Sequence, residues 1–225
     1  MITRRYNAPA AAHDPILLVL LPGAGISVED FAENGMIDAV HARGLAVDIA
    51  ATAPDLELYL DGGITAALHR AIIEPALSQG YARIWLLGIS MGGMGALLYA
   101  AAYEAEIEGV ILLAPFLGTR GTIAELGRAG GLASWAAAGS AATVTEQRML
   151  TGLQSFARRQ PASPVLYLGY GQDDRFAAGH RLLADALPCG HVVTATGGHD
   201  WATWATLWQR VLDAAPFTTT PAKTL

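Results

Sequence analysis

The sequence predicts an α/β protein, a three-layer sandwich in which a mostly parallel sheet is covered on both faces by helices. Three observations carry that reading. Short, nearly continuous apolar runs recur, as in strands buried on both faces of a parallel sheet rather than strands that alternate between core and water. Helix-length stretches lie between them, joined by short junctions bearing Gly, Pro and Asp, so strand and helix alternate with right-handed crossovers. Finally, 52% hydrophobic against 15% charged residues in 225 is the balance of a chain that folds by burial. That length suits one sizeable core, so 1–225 reads as a single domain.

The elements follow in order. Met1 to Ala12 carries two arginines but no apolar h-region, which argues against a secretory signal and makes a cytoplasmic location the expectation. The run Ile16 to Leu21 reads as the first strand and is far too short to cross a bilayer. Further strands are expected near 45–50, 83–88, 108–114, 164–169 and 191–196. Helices are expected from Glu29 to Ala42, Gly63 to Ser78, Met91 to Glu104, Arg175 to Ala186 and Ala202 to Ala214. After Leu113-Ala114-Pro115 the rhythm breaks, and no strand is expected until beyond Pro161. This insertion, at about 116–160, holds a Gly- and Ala-rich patch from Ala129 to Ala142. A helix then runs from Thr145 to Arg158, read as starting on Thr-x-x-Arg rather than on a capping box. Its small helices either pack on the sheet or form a short cap over a site. Thr218 to Leu225 reads as a frayed terminus.

Composition excludes several functions. A net charge of −6 argues against nucleic acid, whose backbone calls for clustered Lys and Arg. The single Cys189 cannot form an internal disulfide, and no spacing of Cys or His suits a metal site. No period of 20 to 50 residues repeats. Nothing in the sequence sets an oligomeric state.

The chemistry is carried by four junctions at strand ends. Arg83 to Gly88 runs as a buried strand into Gly88-Ile89-Ser90-Met91-Gly92, and a helical run follows at once. A nucleophilic serine at such an elbow needs strained backbone angles and close packing of strand on helix, and Gly88 and Gly92 supply the absence of Cβ that this packing requires. A serine hydroxyl is a poor nucleophile at neutral pH and needs a base and an orienting acid, in the chain order Ser, Asp or Glu, His. The loop Gly171-Gln172-Asp173-Asp174 follows one later strand, and Gly197-Gly198-His199-Asp200-Trp201 follows the next. Ser90, Asp174 and His199 are therefore the candidates for nucleophile, acid and base, on the edge where open α/β sheets place their sites. His13, His41, His69, His180 and His191 lie away from strand C-terminal ends and read as surface or packing residues. After the first strand, Pro22-Gly23-Ala24-Gly25 offers the amide of Ala24, and the elbow offers that of Met91, as two donors for a substrate oxyanion. Asp30 reads as a charge at a helix N-terminus. Candidate walls of a pocket are Ile26, Phe116, Leu117, Trp135 and Trp201. The acidic stretch Asp55 to Asp61, with Tyr59 inside it, reads as a solvated loop near the entrance.

On these four segments the chain resembles the α/β-hydrolase superfamily, in its small serine esterases of the carboxylesterase or thioesterase branch. The continuation Met91-Gly92-Gly93-Met94-Gly95-Ala96-Leu97 and the Gly-Gly-His-Asp-Trp segment look most like esterase-D-type enzymes. The chain departs from larger members in lacking their N-terminal strands and in having Pro22 where many carry a histidine. The resemblance implies at least six parallel strands, no cofactor, and hydrolysis of small-molecule esters or thioesters through an acyl-enzyme on Ser90. It also implies that the acid is Asp174, the third residue after the loop glycine; adjacent residues in an extended loop point to opposite sides, so Asp173 should face solvent. Two other readings share these residues: a ligand-binding protein on a hydrolase shell, and a small peptidase of the same fold.

Overall fold

A computed structural model describes residues 1–9, 14–60, 62–159, 164–214 and 216–217. The expectations placed on His13, on Asp61, on the end of the insertion at 160–161 and on the tail from Thr218 fall outside the described residues.

Seven strands, β1 (Ile2–Tyr6), β2 (Ile16–Leu21), β3 (Val47–Ala53), β4 (Arg83–Ile89), β5 (Gly109–Leu113), β6 (Val165–Gly171) and β7 (Val192–Ala195), form one sheet in the order β1-β3-β2-β4-β5-β6-β7. Every pairing is parallel except that of β1 with β3. The chain moves outward from β2 to β3, then returns to place β4 on the other side of β2. That reversal puts the loops after β2 and β4 side by side, where such sheets open a crevice.

β1 corrects the expectation that no strand precedes Ile16. Its residues Ile-Thr-Arg-Arg-Tyr are exposed along nearly their whole length, with Ile2 at 68%. An edge strand needs backbone pairing but no apolar run, so hydrophobicity does not reveal it.

The ten helices among the described residues are α1 (Asp30–Glu33), α2 (Met36–His41), α3 (Leu56–Leu60), α4 (Ile64–Leu68), α5 (Glu74–Ser78), α6 (Met91–Ala102), α7 (Arg120–Arg128), α8 (Val144–Arg159), α9 (Ala177–Ala184) and α10 (Trp201–Asp213). The helix expected over 29–42 is broken in two at Gly35, which adopts φ 72°. The one expected over 63–78 is helical throughout but widens to a π turn at His69–Ile73. Pro75 follows two residues later, and its missing N–H leaves a carbonyl one turn back without its usual partner.

Alternation along each strand divides the core. Leu17, Val19, Leu21, Ile84 and Leu86 face one side with Tyr99, Met149 and Leu183. Ile16, Leu18, Leu20, Trp85 and Leu87 face the other with Phe31, Met36, Leu207 and Trp208. Within the insertion α8 packs against α6 and β6, and α7 against α9. Its start corrects the sequence reading. Thr143 Oγ1 accepts the Glu146 amide at 3.2 Å while Glu146 Oε2 accepts the Thr143 amide at 2.8 Å, a reciprocal capping box whose first residue lies two residues upstream of the expected start at Thr145.

Candidate active site

The elbow takes its shape from backbone contact. Ser90 holds φ 52° and ψ −114°, and the other described non-glycine residue with positive φ, Ala114 at 47°, ends the neighbouring strand. Such angles cost about 1–3 kcal/mol and persist only where surrounding structure enforces them. Here the Ser90 amide donates to the Leu113 carbonyl at 3.1 Å, the Phe116 amide donates to the Ser90 carbonyl at 2.8 Å, and the Ala114 amide donates to the Gly169 carbonyl at 2.7 Å. A Cβ on Gly92 would land on the Leu21 carbonyl, and one on Gly88 on the Gly92 carbonyl. Strand, elbow and the loop after β2 therefore touch through bare backbone.

Three strand ends converge on Ser90. His199 Nδ1 lies 2.7 Å from Asp174 Oδ2, and His199 Nε2 lies 2.9 Å from Ser90 Oγ. With the Nδ1–H donating to the carboxylate, Nε2 is left as the acceptor of the Ser90 hydroxyl proton. Asp174 is 5% exposed, and its other oxygen accepts the Phe176 amide at 2.8 Å. Burial by itself pushes this carboxyl up, but the hydrogen bond from His199 and the Phe176 amide outweigh it and hold the group below the ordinary carboxylate value. The ring of His199 is wedged edge-to-face between Phe176 and Trp204, each at 5.1 Å between centroids. Directly after it, Asp200 caps α10, Oδ1 accepting the Thr203 amide and hydroxyl at 2.9 Å each. The Thr203 amide is the main reason the Asp200 carboxyl sits low. Asp173 is exposed, yet it also ties the histidine loop: its amide donates to the Gly197 carbonyl at 3.0 Å and its Oδ2 accepts the Gly197 amide at 3.2 Å.

Among the described residues, two cavities adjoin the segments around Ser90. One, of about 120 Å³, is lined by Pro22 to Ile26 together with Pro54, Leu56, Tyr59 and Met91, so it brings together Ala24 and Met91. Met91 opens α6, where the first amides of a helix have no intrahelical acceptor. The larger, of about 590 Å³, begins at Pro115, Leu117 and Phe176 and runs away between α7 and α9. Of the candidate walls, Ile26 and Leu117 line these cavities, and Phe116 stands edge-to-face with Phe176 at 6.1 Å. Trp135 does not reach the site; it is buried in the insertion, donating from Nε1 to Glu125 at 2.8 Å. Trp201 packs between Phe31 and Trp204. Asp30 lies in the first turn of α1, where its carboxylate accepts the Ser27 amide at 2.7 Å.

Near the site, Tyr59 departs from its sequence reading and His180 takes the packing role expected of it. Tyr59 lies in a helix, not in a solvated loop, and its buried hydroxyl has no hydrogen-bond partner among the described residues; burial pushes that phenol far up. His180 is fully buried beneath the site, with Nε2–H donating to the Pro115 carbonyl at 2.9 Å. Burial holds its pKa below the ordinary 6.5, so it is a neutral strut. Among the described residues no cluster of His, Cys, Asp and Glu could hold a metal ion, and no helix is long and apolar enough to cross a membrane.

Comparison with known proteins accords with this geometry. Solved structures that superpose on nearly the whole chain include an S-formylglutathione hydrolase from Agrobacterium tumefaciens, at 18% identity and TM-score 0.59 over 95% of this chain and 88% of that one. Est1E from Butyrivibrio proteoclasticus matches at 14% identity and TM-score 0.62, over 95% and 93%. A monoacylglycerol lipase of Paleococcus ferrophilus matches at 14% and 0.59, over 96% and 98%. At such identities these likenesses show the fold. No curated protein sequence matches the chain. The family model described as serine aminopeptidase, S33, matches residues 63–176, just over half the length, through the elbow and the acid loop. The chain thus belongs to the serine aminopeptidase S33 family of α/β-hydrolases.

Proposed function

We propose that this protein is a serine hydrolase that cleaves carboxylic ester or thioester bonds of small substrates through an acyl-enzyme intermediate. The observation that carries the reading is the continuous relay from Ser90 Oγ through the His199 ring to Asp174, at 2.9 and 2.7 Å. As Oγ bonds to the acyl carbon, its proton passes to His199 Nε2, and Asp174 holds the ring and stabilises the imidazolium. The oxyanion of the tetrahedral intermediate sits against the amides of Ala24 and Met91. When the C–O or C–S bond breaks, the proton on Nε2 goes to the departing oxygen or sulfur. Water then attacks the acyl carbon and gives a proton to Nε2. The bond to Ser90 breaks, Oγ recovers that proton and the carboxylic acid leaves.

The names of the similar structures, S-formylglutathione hydrolase and monoacylglycerol lipase, are in keeping with acyl transfer to water. The family's description points instead to an aminopeptidase. Such an enzyme must hold a free ammonium group, and among the described residues that line the two cavities there is no Asp or Glu. That favours the esterase. The segment at about 116–160 acts in this reading as a short cap on one domain. We assign the protein to the cytoplasm in this reading, and the lone, exposed Cys189 is in keeping with a reducing compartment.

A fluorophosphonate probe should label the protein, p-nitrophenyl acetate should be hydrolysed, and Ser90→Ala should abolish both. Labelling without turnover of any ester would favour a binding protein on a hydrolase shell. Faster cleavage of amino-acid anilides than of esters would favour the peptidase.

A further inference from the structure

The larger cavity is a groove between α7 and α9, and its walls are unusual for this chain. Ile123, Ala124 and Gly127 line it from one helix and Ala178, Gly179 and Leu182 from the other, and Gly179 leaves room for the Ile123 side chain, which a Cβ there would meet at 2.9 Å. Into it come three exposed arginines, Arg120, Arg175 and Arg181, and among the described residues no Asp or Glu. The chain as a whole carries a net charge of −6. Arg4, Arg43, Arg83 and Arg159 each pair with a carboxylate, whereas among the described residues the three groove arginines form no ion pair. Arg175 is also placed: its guanidinium lies 4.9 Å from the centre of the Phe176 ring, and that ring stands edge-on to His199. A cationic, acid-free groove therefore begins beside the imidazole that hydrogen-bonds Ser90.

Resting on the serine-hydrolase reading above, we propose that this groove receives the leaving-group half of the substrate and that this half bears an anionic group, a carboxylate or a phosphate. The leaving oxygen or sulfur must take its proton from His199 Nε2, so it departs on the His199 side, where Phe176 and Pro115 open the groove. The carbonyl and acyl chain fall to the opposite flank, against Ala24 and Met91, where the cavity measures only about 120 Å³. The three guanidiniums attract the negative charge along the groove, and their exposure keeps that attraction modest and sensitive to salt.

The test compares 3-(4-acetoxyphenyl)propionate with its primary amide, two acetyl esters of the same size that differ in charge on the leaving group. In low-salt buffer the carboxylate should show kcat/KM about tenfold above the amide, an advantage that shrinks as sodium chloride is raised to about 0.5 M. Replacing Arg120, Arg175 and Arg181 together by Gln should bring the ratio of the two close to one. Monophenyl succinate, with the charge moved to the acyl side, should show no such advantage over phenyl acetate. Equal kcat/KM for carboxylate and amide in a protein that hydrolyses p-nitrophenyl acetate would overturn the proposal and leave the hydrolase reading standing. An advantage confined to monophenyl succinate would overturn it equally. Loss of both fluorophosphonate labelling and p-nitrophenyl acetate turnover would sink the hydrolase reading itself, and the proposal with it.

Discussion

At the scale of single residues, the two adjacent aspartates divide one task. Asp174 is buried and accepts from His199, so its replacement by Asn removes the negative charge that fixes the imidazole tautomer. Loss of the corresponding carboxylate in a related constellation costs on the order of 10⁴ in turnover. Asp174→Asn should lose activity on that scale while circular dichroism reports an intact fold. Asp173 is exposed, and an amide oxygen at the same place can still accept from the Gly197 amide, so Asp173→Asn should change kcat by about tenfold at most. If the two variants exchange ranks, Asp173 takes the role assigned to its neighbour. The pair was readable in the sequence as a loop after a strand, and the choice between them rested on resemblance and on the opposite aim of adjacent side chains. What sequence did not disclose is that Asp173 ties down the histidine loop, a contact made across 24 residues.

At the scale of elements, the start of α8 shows how one side chain joins segments. Glu146 is 4% exposed; Oε2 accepts the Thr143 amide and Oε1 accepts the Thr119 amide at 2.6 Å, so it caps its own helix and holds the residue that caps α7. Glu146→Ala leaves both amides without this acceptor, and Glu146→Gln retains an oxygen for only one of them. Urea denaturation should show Glu146→Ala less stable by about 2–3 kcal/mol and Glu146→Gln intermediate. Equal stability of wild type and Glu146→Ala would mean that water replaces the carboxylate at no cost. Thr143 and Glu146 lie at the spacing that marks a helix start, so the box was present in the sequence. Thr145 with Arg148 offers a competing start at nearly the same place, and only the fold, in which Glu146 also accepts the Thr119 amide, selects the box.

At the scale of the whole molecule, cavity size and buried ionisable groups set two properties. The acyl flank of about 120 Å³ lies well below the 300 Å³ or more of pockets that enclose larger ligands. In a p-nitrophenyl ester series kcat/KM should therefore peak at short or medium acyl chains; a steady climb to palmitate would show that the acyl group lies elsewhere. Stability should also fall with acid in two stages. His180 lies below the ordinary 6.5 chiefly through burial, with His199 and Arg181 also lowering it and the Pro115 carbonyl and Asp174 opposing. The unfolded chain thus takes up a proton that the native state refuses, and stability present above pH 6.5 erodes as pH falls from there toward the folded value. His191 acts in the same direction through its own burial. Asp174, held below its ordinary 3.8, contributes stability above that pH and loses it as pH falls through its lower folded value. Urea midpoints at constant ionic strength should decline between pH 7 and 5, less so in His180→Asn. A wild-type midpoint that is flat across that range would count against the buried neutral histidine.

The sequence by itself determined the strands of the core, the elbow and the order of serine, acid and histidine. Burial on both faces writes an apolar run, and a backbone that must touch backbone writes glycine, so both are local signals. Only the tertiary structure decided the rest. The edge strand β1 pairs through its backbone and leaves no hydrophobic trace. Trp135 looks like a pocket wall until the insertion folds around it and turns its indole N–H to Glu125. The groove with its three arginines is lined from α7 and α9, some fifty residues apart in the chain, which only the fold brings together. Such a match between distant surfaces is set by packing, and no spacing along the chain encodes it.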